Sequence, residues 1–307
     1  MLQDEIASRY GAQEIVLREI RAGQGGAMVF EAVLDGTRRA LRISGPYLSA
    51  RPGWIEFEGR FLEVARAEGG SVAGAVKGLD GRFGQMVAGG VAFLTEWAEG
   101  DIEWPTPAKK AECLGAAVAH LHLVGQEVEV SGDLRSFGTD GLLDRPMSLL
   151  GEIADVTPLL GFVDELRERI DAIPVTQETF TAIHGDVHQG NCHFDGDQAT
   201  LFDFAQCGVG WRAFDLAGFL WPWRDASIER VELRIACDAY LKGYQTSAPL
   251  GLEELAALPA FVRARDLWEA GEWIATGDGR EKADDVKATV LAWKESWSAS
   301  PLRESLD

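Results

Sequence analysis

Between Ala182 and Phe204 an apolar run stops at Ile183, a polar loop follows, and a short hairpin returns the chain to where the loop began. The loop carries Asp186 and, five residues later, Asn191. Phe194 leads into Asp195-Gly196, a hairpin turn signal, and Thr200-Leu201-Phe202 reads as a second short strand ending at Asp203. Such a hairpin brings Asn191 and Asp203 back to one end, beside Asp186. One carboxylate can then accept a proton while an amide oxygen and a second carboxylate hold a divalent cation. Hard cations such as Mg²⁺ take oxygen ligands and complete their shell with waters and substrate phosphates. Zinc is the competing metal, because His184, His188 and His193 crowd the same loop. His184 and His188 are four apart, as in a zinc-binding helix, but Gly185 and Gly190 argue against a helix and the helical glutamate is missing. A polar hairpin without chemistry is the other competitor.

A kinase catalytic loop places its base Asp five residues before a metal-binding Asn, with a second metal-binding Asp following in Asp-Phe-Gly. Here the first spacing is the same, and Asp203-Phe204 stands in the later position, followed by Ala205. The block His184-Gly185-Asp186-x-His188-x-x-Asn191, then Asp203-Phe204, then Phe214-Asp215-Leu216-Ala217, resembles the aminoglycoside phosphotransferase and choline kinase family. Within it, the chain is most similar to the branch of type II homoserine kinases and bacterial stress-response kinases. The resemblance implies an α+β, bilobal, protein-kinase-like fold. Residues 1–97 would form a small β-rich nucleotide-binding lobe and residues 98–307 a larger helical catalytic and acceptor-binding lobe. It implies ATP and Mg²⁺ as cofactors, Asp186 as the catalytic base, and Asn191 and Asp203 as the metal ligands. His184 and Asp215 would support the catalytic loop without touching phosphate. The family commonly has a second acid two residues after the metal-binding Asp, where this chain has Ala205.

Upstream, residues 3–10 read as a short helix and Ile15 to Ile43 as strands separated by Asp35-Gly36. The first two strands are joined by Arg21-Ala22-Gly23-Gln24-Gly25-Gly26-Ala27. Glycine permits close backbone approach, so Gly23, Gly25 and Gly26 are candidates to close over nucleotide phosphates. Kinases hold those phosphates with a cation on the third strand, paired to a helix glutamate. Arg42 occupies that position in place of the usual Lys, and arginine can grip a carboxylate bidentately. Trp54 to Ala67 has helical spacing and offers Glu58 as the partner, with Glu56 as the competitor. Ala73 to Val76 and Gly84 to Thr95 give further strands. The stretch around Glu96 to Ala98 would be the hinge that hydrogen-bonds the adenine edge.

Beyond the hinge, Pro107 to Val124 reads as a helix, and its His120 and His122 receive no chemical role. Ser131 to Pro146 reads as loop, Leu159 to Ile173 as a helix, and Gly208-Val209-Gly210 as a loop. Helices follow over 227–244, 252–276 and 279–297. Trp268 and Trp273 are expected to pack the helical core. Core packing is the expectation for most of the seven tryptophans from Trp211 onward, which also include Trp221, Trp223, Trp293 and Trp297, while some would instead line an acceptor pocket beside acids such as Asp225, Asp266, Glu269 and Glu272.

The formal charge of −20 disfavours nucleic acid and anionic lipid as partners. Acid clustered at a pocket would favour a cationic ligand. The four cysteines, Cys113, Cys192, Cys207 and Cys237, form no C-x-x-C pair and read as free thiols, with Cys192 and Cys207 flanking the hairpin. The amino terminus lacks a signal peptide and no run has the length of a membrane span, which predicts a cytoplasmic protein. The expected acceptor is a small hydroxylated molecule: an amino alcohol, amino acid or aminoglycoside-like compound. The alternatives are a protein Ser/Thr side chain, or no acceptor at all in a nucleotide-binding pseudokinase.

Overall fold

In the computed structural model, which describes residues 2–22, 26–221, 230–277, 288–289 and 292, sheet dominates up to Glu96 and helix after Pro107. Helix α1 (Leu2–Tyr10) precedes strands β1 (Ile15–Ala22), β2 (Met28–Leu34) and β3 (Thr37–Ser44). Short α2 (Pro46–Ser49) and longer α3 (Pro52–Ala67) follow, then β4 (Ala75–Val76), β5 (Gln85–Val87) and β6 (Gly90–Glu96). The strands form one antiparallel sheet in the order β1-β2-β3-β6-β4, with β5 also on β6.

Period-two alternation decides what each face of this sheet meets. Leu41 and Ile43 turn to one side and, with Phe30, Ala32 and Leu34, bury Ile6 of α1. Arg42 turns to the other, where α3 lies. Ile55, Phe57 and Phe61 of α3 join a core that runs on into the helices below. The sheet therefore packs on the rest of the chain through the same helix that faces Arg42.

The larger part is built on α4 (Ala108–Gly125), α5 (Arg145–Gly151), α6 (Leu160–Asp171), α7 (Arg212–Leu220), α8 (Arg230–Gln245) and α9 (Leu252–Thr276). Helices α4 and α8 approach closely through two glycines. A Cβ on Gly115 would sit 2.0 Å from the Tyr240 carbonyl oxygen, and one on Gly243 would sit 2.0 Å from that of Glu112. The hairpin expected after Asn191 is present as β9 (Cys192–Asp195) and β10 (Gln198–Leu201), with Asp195 opposite Gln198.

Two expected loops are ordered differently. The Ser131 to Pro146 stretch contains β7 (Ser136–Phe137), a π-helical turn over Asp140–Asp144 and the start of α5. Gly208-Val209-Gly210 is no loop but most of β11 (Gly208–Trp211), the middle strand between β7 and β8 (Phe180–Ile183). Its glycines are there for proximity: a Cβ on Gly210 would meet that of Phe137 at 2.2 Å, and one on Gly208 would meet the Arg135 carbonyl oxygen at 2.4 Å. Trp268 is buried as expected, whereas Trp273 is 42% exposed because it lies on the outer face of α9. The four cysteines are free thiols. The helix expected over 279–297, along with Trp223, Asp225, Trp293 and Trp297, lies outside the described residues, save for 288–289 and 292. Among the described residues no helix is long and apolar enough to cross a membrane.

Candidate active site

The loop from β8 to β9 is held from behind by one buried carboxylate. Asp215, near the start of α7, accepts from the backbone N–H of His184 (2.8 Å) and of Gly185 (2.7 Å). Its Oδ2 also meets His122 Nε2 of α4 at 3.0 Å, and the other nitrogen of that ring meets the Tyr244 hydroxyl of α8 at 2.8 Å. His122 thus ties the β8–β9 loop to the α4–α8 pair, a role its sequence position did not reveal. The available signal was a histidine on the buried side of an apolar helix. Gly185 has φ of +80°, and a Cβ there would lie 2.4 Å from the Gln206 carbonyl oxygen, so the loop requires glycine at this point.

Asp186 projects from this loop with both oxygens engaged. Oδ2 accepts from Asn191 Nδ2 at 3.0 Å, and the same amide nitrogen reaches the Asp186 carbonyl, also at 3.0 Å. Oδ1 accepts from Arg265 Nη2. Burial pushes the Asp186 carboxyl up, but the Arg265 guanidinium and His188 outweigh it and hold the group well below the usual carboxylate range. Since Asn191 donates through nitrogen to Asp186, its Oδ1 is left for another ligand.

Asp203 follows β10 with φ of +62° and ψ of +60°, an αL conformation that is uncommon for a residue with a Cβ. The neighbouring Phe204 ring lodges between His184 (centroids 4.2 Å apart) and Phe61 of α3 (5.7 Å). That packing anchors the turn presenting Asp203. The three histidines of the loop face different partners: His184 Nε2 the Phe202 carbonyl (3.1 Å), His188 Nδ1 the Gly190 amide (2.9 Å), and His193 Nδ1 the Ala98 carbonyl (2.7 Å).

Opposite the loop, Arg42 and Glu58 form two parallel bonds, Nη1 to Oε1 at 2.9 Å and Nη2 to Oε2 at 2.6 Å. Arg42 Nη1 lies 4.0 Å from Asp203 Oδ1. Glu56 is engaged elsewhere, accepting from the amides of Gly84 (2.9 Å) and Phe83 (3.4 Å). Of the expected phosphate loop, Gly23 and Gly25 lie outside the described residues, and Gly26 adopts φ of +77°. At the expected hinge, the Glu96 amide donates to the Gly74 carbonyl (2.8 Å) and its carboxylate takes Arg66 (2.9 Å). With the Ala98 carbonyl already held by His193, Trp97 is flanked by two engaged groups.

A cavity of about 420 Å³ collects these pieces. Arg42, Asp186, Asn191, Asp203 and Ala205 line it, as do Ala27 and Val29 from the start of the sheet. Its far wall comes from Tyr47, Arg135, Trp221, and Arg265, Trp268, Glu269 and Glu272 of α9; of these, Trp221, Glu269 and Glu272 were expected at a pocket, and Tyr47, Arg135 and Arg265 were not. Glu272 is clasped by Arg135 Nη1 (2.7 Å) and by Arg145, whose other nitrogen reaches the Tyr47 hydroxyl (2.7 Å). Burial raises the Glu272 carboxyl, but the two guanidiniums more than offset this and hold it below its ordinary value. Asp266, another expected pocket acid, accepts from Trp221 Nε1 at 2.9 Å instead of lining the cavity.

The donor set suits a hard divalent cation: an amide oxygen whose nitrogen is committed elsewhere, a carboxylate at a fixed turn, and an open cavity for phosphate and water.

The phosphotransferase enzyme family matches residues 16–258 of the chain. An uncharacterized protein of Synechocystis is 33% identical over 161 residues, 50% of this chain and only 44% of that one. An uncharacterized protein of Deinococcus radiodurans is 31% identical over 87% of this chain and 79% of its own length. A homoserine kinase of Acidiphilium cryptum is 31% identical over 66% of this chain and 65% of that enzyme. Among solved structures, the amicoumacin kinase hAmiN in complex with AMP-PNP, Ca²⁺ and Ami superposes with a TM-score of 0.77 at 21% identity, covering 95% of this chain and 90% of that one. A microcompartment-associated aminopropanol kinase gives 0.67 at 20% identity, covering 96% and 97%. These two likenesses establish a shared bilobal fold.

Proposed function

The chain belongs to the phosphotransferase enzyme family, and from that premise we propose that it moves the γ-phosphoryl group of Mg²⁺-ATP to a hydroxyl of a small molecule. The observation that carries this reading is the convergence of Asp186, Asn191, Asp203 and the Arg42–Glu58 pair on one cavity. Asn191 and Asp203 would hold Mg²⁺, which when bound neutralises charge on the phosphate oxygens. Arg42, fixed by Glu58, offers a permanent positive charge to the same phosphates. The Glu96–Ala98 backbone and the turn with Gly23, Gly25 and Gly26 belong to the adenine and phosphate subsites.

Asp186 accepts a hydrogen bond from the acceptor hydroxyl and aims its oxygen at the γ-phosphorus. As the new O–P bond forms, the bond to the ADP oxygen breaks and the hydroxyl proton passes to the Asp186 carboxylate. A carboxylate with depressed basicity takes that proton late, which suits a loose transition state in which positioning matters more than deprotonation.

The acceptor wall favours a small molecule over a protein side chain. Tyr47, which lines the cavity from the sheet side, is tied to Arg145 of α5, so the two parts of the chain are bonded beside the cavity, which suits a small acceptor better than an extended peptide. Glu269 is the wall carboxylate with a single guanidinium contact, Arg265 at 3.2 Å, which makes it the contact for an acceptor ammonium. The complete set of Asp186, Asn191 and Asp203 argues against a pseudokinase.

Asp186→Ala should lower turnover by about 10²–10⁴-fold while leaving AMP-PNP affinity within about twofold. ADP release screened against amino alcohols, hydroxy amino acids, sugars and aminocyclitols would identify the acceptor. Phosphate appearing on protein alone, or unchanged turnover in Asp186→Ala, would overturn the reading.

A further inference from the structure

Arg265 is a full charge on the cavity wall, in contact with Asp186, that no catalytic role above accounts for. Its side chain is 1% exposed. It is enclosed by three aromatic rings, with its guanidinium carbon 5.3 Å from the Trp221 centroid, 5.7 Å from Trp268 and 5.8 Å from Phe214. Among the described residues Nε and Nη1 have no hydrogen-bond partner. Only Nη2 reaches acceptors: Asp186 Oδ1 and, at 3.2 Å, Glu269 Oε1. A buried cation is normally satisfied on every nitrogen. Here two nitrogens lie among the aromatic rings without a hydrogen-bond partner, and Nη2 alone is bonded to the base.

The close fit extends to the backbone. A Cβ on Gly218 of α7 would sit 3.2 Å from Arg265 Nη1 and 2.2 Å from the Val187 carbonyl oxygen. Glycine there lets the guanidinium, α7 and the catalytic loop meet at one point.

We propose that Arg265 is the positioning residue of Asp186: Arg265 fixes one carboxylate oxygen, Asn191 fixes the other, and the plane of the base is set before the acceptor arrives. Glu269, one turn along α9, accepts from the same nitrogen at 3.2 Å, a longer contact than the one to Asp186. The hydroxyl of the acceptor then meets a carboxylate that cannot rotate. A displacement of the order of 1 Å in such a group costs about 10²-fold in rate.

The inference rests on the phosphotransfer reading, and a double-mutant cycle separates the two. Arg265→Met should lower kcat by about 10²-fold, leave the Kd for AMP-PNP within about twofold, and change the acceptor KM by less than about fivefold. Arg265→Lys, which restores a charge without the fork, should recover roughly tenfold of the loss. In an Asp186→Asn background, Arg265→Met should cost less than about twofold more, because groups acting as a unit are non-additive. If instead the two losses multiply, or nucleotide affinity falls with kcat, Arg265 is a packing residue and the proposal fails. Wild-type kcat in folded Arg265→Met also defeats it. Should Arg265→Met not fold, Arg265→Gln and Arg265→Lys carry the same cycle. If Asp186→Asn alone has no effect, it is the phosphotransfer reading that falls.

Discussion

The two walls of the cleft handle charge in opposite ways. On the wall proposed to meet the nucleotide, Arg42 has one carboxylate bonded to it, Glu58, held behind it by two bonds, so its positive charge stays available to the cavity. On the wall proposed to meet the acceptor, two charges are shared: Glu272 between Arg135 and Arg145, and Arg265 between Asp186 and Glu269. The first arrangement suits a ligand of fixed chemistry, a polyphosphate with its metal. The second distributes charge over a surface, so that binding there depends on shape and on how each shared pair is drawn toward the ligand.

That contrast is open to test by removing partners from each wall. The largest effect is expected for Glu58→Ala, which strands a buried guanidinium. It should cost about 3–5 kcal/mol of stability in urea unfolding and raise the KM for ATP with little change in the acceptor KM. A loss below about 1 kcal/mol would show that Arg42 finds another counter-charge, Asp203 at 4.0 Å being the nearest, and would blur the distinction between the walls.

Glu272→Gln should come next, and its signature is in pH. The folded-state carboxyl of Glu272 is depressed by its two arginines, so its stabilising contribution is present above the unfolded-chain value, about 4.3, and lost as pH falls through the folded one. Wild-type Tm should therefore fall more steeply on acidification than that of Glu272→Gln, with the variant less stable near neutrality. Parallel Tm curves would mean that the clasp contributes no net free energy.

The smallest effect is expected for Tyr47→Phe, which removes one hydrogen bond to Arg145, about 0.5–1.5 kcal/mol. The acceptor KM should rise several-fold and the ATP KM should hold. The reverse pattern would place Tyr47 on the nucleotide wall.

What could be read from sequence divides along the same line. The Asp186–Asn191–Asp203 arrangement was legible because a hairpin of short range builds it, and Arg42 because kinases carry a cation on the third strand, while the choice between Glu58 and Glu56 as its partner needed the structure. His122, Arg135, Arg145 and Arg265 were not legible, since their partners stand 93, 137, 127 and 79 residues away. Nothing local distinguishes a buried, paired arginine from a solvated one. The usable clue was patterning: Arg265 and Glu272 occupy positions in α9 where helical period calls for apolar side chains, alongside Phe261 and Trp268. Gly208 and Gly210 misled for a related reason, because glycine signals a turn and a close strand–strand approach equally well.

Arg265, Glu269 and Glu272 succeed one another at intervals of four and three along α9, so a single rod displays three charged side chains of the wall proposed to meet the acceptor. Deleting one residue between Pro259 and Arg265 would twist that display by about 100° and carry all three side chains away together. Exchanging one side chain for another leaves the rod in register. If α9 contacts the acceptor as proposed, acceptor choice can be altered by replacements along it, whereas a length change is tolerated only in the turns at its ends.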